Sequence, residues 1–84
     1  MDEQLIGTVT HYFGKIGVCA IKLTNELAVG DKIHIKGNTT EFIQEVNSIQ
    51  VEHEVTEKAG KDEEIGIKVN EKVHEGDEVY KVIE

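Results

Sequence analysis

Leu27-Ala28-Val29-Gly30-Asp31-Lys32-Ile33 and Val73-His74-Glu75-Gly76-Asp77-Glu78-Val79 follow one rule. Each reads apolar, two residues, Gly-Asp, one residue, apolar. A looser third copy is Ala59-Gly60-Lys61-Asp62-Glu63-Glu64-Ile65-Gly66-Ile67. The physical content is a turn that feeds a strand. Glycine supplies a positive φ at little steric cost, and aspartate hydrogen-bonds the nearby backbone. An alternating apolar run then begins. Repeated turns into strands are how a small antiparallel barrel rounds its corners. The unequal spacing of the copies excludes a solenoid repeat.

Outward from these corners the chain reads as short strands. Leu5 to Phe13 is the first, with Gly7 as a bulge or close-approach position. Gly14-Lys15-Ile16-Gly17 is a turn, and Val18 to Leu23 is the second strand. The first half of that strand is apolar at every position, which predicts partial cover on both faces. Lys32-Ile33-His34-Ile35-Lys36 alternates cleanly, so Ile33 and Ile35 are expected inward and Lys32, His34 and Lys36 outward. Gly37-Asn38 reads as a two-residue hairpin loop. Phe42 and Val46 share a parity that Ile49 and Val51 do not, so a bulge or bend is expected near Asn47-Ser48. Glu52 to Lys58 suits a helical turn or a solvated strand end. Ile65, Ile67 and Val69 alternate inward, and Glu78 to Ile83 is the closing strand. Six or seven evenly spaced strands predict an all-β fold, a small closed antiparallel barrel occupying residues 1–84 as one domain.

Composition narrows the function. The 84 residues carry 17 Asp and Glu against 9 Lys, with no Arg, for a net charge of -8. Such a surface repels phosphate backbones and anionic lipid, so neither general nucleic-acid binding nor a membrane role is expected. The single Cys19 excludes an internal disulfide and fits a reduced, cytoplasmic setting. Met1-Asp2-Glu3-Gln4 lacks a basic n-region and an apolar h-region, so no signal peptide is expected.

Few residues invite chemistry. His11, His34, His53 and His74 fall on different elements, and none has metal-ligand spacing. Cys19 sits in an apolar run, where cysteine behaves as a small buried hydrophobe rather than a nucleophile. Asp62-Glu63-Glu64 and Glu75-x-Asp77-Glu78 lack calcium-loop spacing. No catalytic residue, metal or cofactor is therefore expected. Two groups remain as binding candidates. His11, Tyr12 and Phe13 form the one polar-aromatic cluster, suited either to a binding rim or to packing on the core. Lys32, His34 and Lys36 are the main local source of positive charge.

The ordered motifs resemble a known barrel. Gly7-Thr8-Val9, Leu27-x-Val29-Gly30-Asp31-x-Ile33-x-Ile35, Val46-Asn47-Ser48-Ile49 and Val73-His74-Glu75-Gly76-Asp77-x-Val79 are similar to the second-domain barrel of translational GTPases such as elongation factor Tu. Gly7-Thr8-Val9-Thr10-His11-Tyr12-Phe13 and Thr40-Glu41-Phe42-Ile43-Gln44-Glu45-Val46-Asn47-Ser48-Ile49-Gln50 also resemble the C-terminal barrel of collagenase-like peptidases. No Gly-x-x-x-x-Gly-Lys-Ser/Thr loop occurs, so the likeness brings no GTP site. It implies a non-catalytic binding module for a protein or ribonucleoprotein partner. Two alternatives stand beside it: an RNA- or tRNA-contacting translation accessory, and a detached accessory domain of a collagenase-like peptidase.

Overall fold

The computed structural model describes residues 2–52 and 54–83. Within them lie ten strands: β1 (Asp2–Phe13), β2 (Val18–Leu23), β3 (Leu27–Ala28), β4 (Lys32–Lys36), β5 (Glu41–Glu45), β6 (Ile49–Val51), β7 (Glu54–Thr56), β8 (Lys58–Ala59), β9 (Glu64–Lys68) and β10 (Glu78–Ile83). Eight form one antiparallel sheet in the order β5-β4-β10-β1-β2-β9-β6-β7, and β3 pairs with β8. The extra strands come from Leu27-Ala28 and from Glu54 to Ala59, whose Glu-rich pattern hid their pairing. Gly37-Asn38 is not a two-residue hairpin. Residues 37–40 link β4 to β5, and the Gly37 N–H donates to the Thr40 carbonyl at 2.7 Å.

The two predicted Gly-Asp corners and the looser copy are one structural unit. In each, a carboxylate accepts the backbone N–H three residues earlier: Asp31 from Ala28 at 2.9 Å, Asp77 from His74 at 2.8 Å, Glu63 from Gly60 at 3.0 Å. The residue before the carboxylate has positive φ: 97° at Gly30, 92° at Gly76 and 73° at Asp62. Asp62 therefore takes the glycine's place in the third copy and Glu63 the aspartate's. Each corner also exchanges two backbone bonds with one buried residue. Gly30 N–H donates to Val46 O, and Val46 N–H to Asp31 O. Gly76 and Asp77 do the same with Val9, and Asp62 and Glu63 with Leu23. No side chain lies within 4 Å of a Cβ added at Gly30 or Gly76, so backbone strain alone sets the cost there. Gly30→Val and Gly76→Val are each expected to cost about 1 kcal/mol or more in urea denaturation. Asparagine, which tolerates positive φ better, costs less at both sites.

Ile33, Ile35, Ile65, Ile67 and Val79 are fully buried in one cluster, with Phe42 packed against it. Strands from both halves of the sheet thus share one interior, so the sheet curls round it. The expected closed barrel is not what the hydrogen bonds make. Among the described residues the ladder has two ends, β5 and β7. A side chain spans part of the gap. Gln44 on β5 is 6% exposed, donates Nε2–H to Lys68 O at 2.9 Å and accepts the Asn70 N–H on Oε1 at 2.8 Å. One amide stands in for a missing rung between β5 and the end of β9. Between β5 and β6 the parity change falls at residues 46–48, which belong to no strand.

Candidate functional site

The outer face of β4 carries Lys32, His34 and Lys36. Opposite them in register are Glu45, Ile43 and Glu41 on β5, with Tyr80 and Glu78 on β10 beside His34 and Lys36. His34 is not the exposed residue that alternation predicts; it is 8% exposed. Glu3 reaches over from β1 and places Oε2 2.6 Å from Nδ1, while Glu41 Oε2 lies 3.1 Å from Nε2. Both contacts are hydrogen bonds only when the ring carries both protons. Lys36 Nζ is 3.4 Å from the other Glu3 oxygen and 5.2 Å from the Tyr80 ring centre. Glu3 from β1 and Glu41 from β5 thus both close on His34, and Glu3 also meets Lys36. That arrangement leaves little field to attract a phosphate. Lys32 sits at the far end of the strand from Lys36.

The His34 hydrogen bond holds the Glu3 carboxyl below its ordinary value of 4.5. The charge of His34 and the bond and charge of Lys36 act the same way, against an opposing cost of burial. A carboxyl lowered in the folded state stabilises the fold above its unfolded pKa, and that contribution is lost as pH falls through the folded one. Glu3→Gln should therefore melt lower than the parent at neutral pH. The gap should close as acid is added below about pH 4.5. Paired thermal melts at neutral and acid pH check this; a gap constant with pH would remove Glu3 from the network.

His11, Tyr12 and Phe13 divide. Tyr12 packs against the core. His11 and Phe13 lie on the outer face with ring centres 4.4 Å apart, and Phe13 is 46% exposed. His11 Nδ1 is 3.4 Å from Glu75, which lines a shallow groove shared with Lys36, Gly37 and Asn38. That glutamate lies between the two candidate groups, on His11 and in the groove that Lys36 also lines.

Among the described residues no three His, Cys, Asp or Glu side chains form a metal-holding group. His53 lies outside the described residues. His74 Nδ1 pairs with the Thr40 hydroxyl at 3.0 Å. Cys19 is fully buried; desolvation first, and the Asp77 charge second, push its thiol from 9.0 up to about 12. The native thiol should resist a disulfide reagent by about a thousandfold on thiolate fraction alone. Urea should release ordinary reactivity, and prompt native labelling would contradict the buried placement.

The sequence reading missed an apolar hollow on the outer surface. Phe13, Ile16, Val18, Ala20, Val51 and Gly66 line a hollow across β1, β2, β9 and β6. The signal was present in the unbroken apolar run at the start of β2.

The comparisons with known proteins bear on the whole chain. No family model matches it. It is 43% identical over 76 residues to an uncharacterized protease of Methanocaldococcus jannaschii, covering 89% of this chain and 19% of that protein. It is 40% identical over 82 residues to a collagenase of Porphyromonas gingivalis, covering 95% of this chain and 23% of that protein. The chain thus spans about a fifth of the length of the curated relatives it matches. Among solved structures it resembles the C-terminal domain of a Geobacillus thermoleovorans protein described as a U32 peptidase. The TM-score is 0.89 at 19% identity, over 95% of this chain and 93% of that one. A selenomethionine variant of that domain gives a TM-score of 0.86. The chain is an all-β domain close to the C-terminal domain of the U32 collagenase-like peptidases.

Proposed function

We propose that this chain serves as a non-catalytic accessory domain of a U32 collagenase-like peptidase, engaging a protein rather than cleaving one. The observation that supports this best is the shape of the sequence match. It takes in nearly all of this chain and only about a fifth of proteins named as proteases and collagenases. Cys19, buried and with its thiol pushed up to about 12, offers no ready thiolate. A reduced, cytoplasmic setting belongs to the same proposal and rests on the lone thiol. The elongation-factor likeness rests on the corner motifs and contributes no GTP or tRNA role. The RNA-contacting alternative loses its main support, since Glu3 and Glu41 already occupy His34 and Lys36.

The test pairs the purified chain with a U32-type peptidase from the same organism, stripped of any segment that this chain matches. Co-elution on a sizing column, with altered gelatin cleavage when the chain is added, is the expected result. Gelatin cleavage by the chain alone, or no effect on the peptidase in either assay, would overturn the proposal.

A further inference from the structure

The outer face of a small antiparallel sheet normally carries polar side chains. Over β1, β2, β9 and β6 that polar cover is interrupted by an apolar stretch, Phe13, Val18, Ala20 and Gly66. Ala20 lies between His11 and Gly66 in register, and Gly66 lies beside Gln50. Two small residues side by side lower the sheet surface, and Val18 continues the floor. Phe13 and Ile16 stand beside it as walls, 46% and 65% exposed, and Val51, itself packed against the core, lies at its edge. Isolated exposed apolar residues are common, but a contiguous group marks a contact surface. Ile16 has no core to serve at the tip of its turn.

The rim is acidic. Glu52, Asp62, Glu63 and Glu64 border the hollow and are all exposed. One Glu64 oxygen accepts the Thr10 hydroxyl and one Glu63 oxygen the Gly60 N–H, which fixes both carboxylates in place. Lys22 borders this rim with its ammonium on the Asp62 carbonyl oxygen, and Lys68 lies opposite Val18, but the residues that line the hollow include four acids and no lysine. An apolar floor inside a negative rim selects a partner of the converse pattern.

Resting on the proposed role as a protein-engaging accessory domain, we infer that this hollow docks a polypeptide segment with apolar side chains flanked by lysine or arginine. The apolar side chains would sit on Ala20 and Gly66 between Phe13 and Ile16. The flanking cations would meet Glu52 and Glu64. Burial supplies the affinity, and the rim supplies orientation and discrimination against acidic segments.

The test is an amide NMR titration of the full chain with three short synthetic peptides: leucines flanked by lysines, the same with glutamates for lysines, and lysines with glycines for leucines. The first peptide is expected to shift the amides of Val18, Ala20, Val51 and Gly66 in a saturable way, and the other two are not. Ala20→Arg fills the floor, and Glu52→Lys with Glu64→Lys reverses the rim. Each is expected to weaken the first peptide by roughly tenfold or more while amide dispersion stays native. Equal shifts with the leucine-free peptide, shifts spread over the other acidic turns, or no shift at millimolar peptide would each overturn the inference. The titration needs no peptidase, so its failure is separable from failure of the accessory role. Peptide binding without co-elution would keep the hollow and discard that role.

Discussion

Ile67→Asp is expected to leave the chain unfolded in buffer at room temperature. Ile67 is 1% exposed on β9, opposite Cys19 in register and inside the shared core. The aspartate would either bury an unpaired charge or hold a proton against its ordinary pKa, and the weak Cys19 S–H opposite it does not satisfy a carboxylate. Such burial costs several kcal/mol, comparable to the roughly 5 kcal/mol that a domain of this size has to lose. Circular dichroism should show a disordered chain with no thermal transition. Lys68→Asp, one residue on and exposed, is the companion; it should stay within roughly 0.5 kcal/mol of the parent. A cooperative, parent-like melt for Ile67→Asp would mean that β9 does not face a common interior.

Gly7→Val should be the next most damaging change. Here the obstacle is space. A Cβ at Gly7 would lie 2.7 Å from the Ile21 Cγ2 methyl and 2.7 Å from the backbone oxygen of Lys22. The methyl could turn away, but the carbonyl belongs to the β1–β2 ladder and cannot move without breaking it. The register shift between Leu5 and Gly7 places this glycine at a bulge, where β1 turns from one neighbour toward the other. Overpacking against backbone should cost at least about 2 kcal/mol, or roughly 10 °C in melting temperature. Gly60→Ala is the contrast. Its nearest neighbour would be a Glu63 carboxylate oxygen at 3.7 Å, and its φ is not positive, so the melt should barely move. Similar melts for Gly7→Val and Gly60→Ala would remove the close approach of β1 and β2 at this point.

What could be read from residues alone was whatever depends on local pattern. The corners at Gly30 and Gly76, the bulge glycine at Gly7 and the inward set of Ile33, Ile35, Ile65 and Ile67 all follow from turn chemistry and a period of two. The misses share a different cause. His34 alternates outward as expected, yet Glu3 and Glu41 cover it, and 31 residues separate it from Glu3. Alternation reports which face a side chain takes, not what crosses that face. Asp62 in the glycine's role was hidden because any aspartate looks like the capping carboxylate of the motif. Closure was expected for a related reason, and no closing ladder is seen among the described residues. Strand count and corner spacing say that a sheet must curl, but not whether its last ladder forms. The apolar hollow lay half in view, since the run Val18 to Ile21 showed cover on both faces without showing what shape lay above it.

The open ladder between β5 and β7 has a consequence for how the molecule behaves in crowded solution. A sheet with ends carries backbone groups able to recruit the edge of another copy, the first step toward aggregation. Gln44 occupies one of those margins from within. The same strand ends in Glu41 and Glu45, and β7 begins with Glu54, all exposed. Two copies approaching edge to edge therefore bring carboxylates together before any strand can pair. The acidity of these edges also acts as a colloidal guard for a sheet with two ends. That guard is weakest near the isoelectric point of about 4.9, where the net repulsion between copies vanishes and precipitation should set in while the fold is still largely intact.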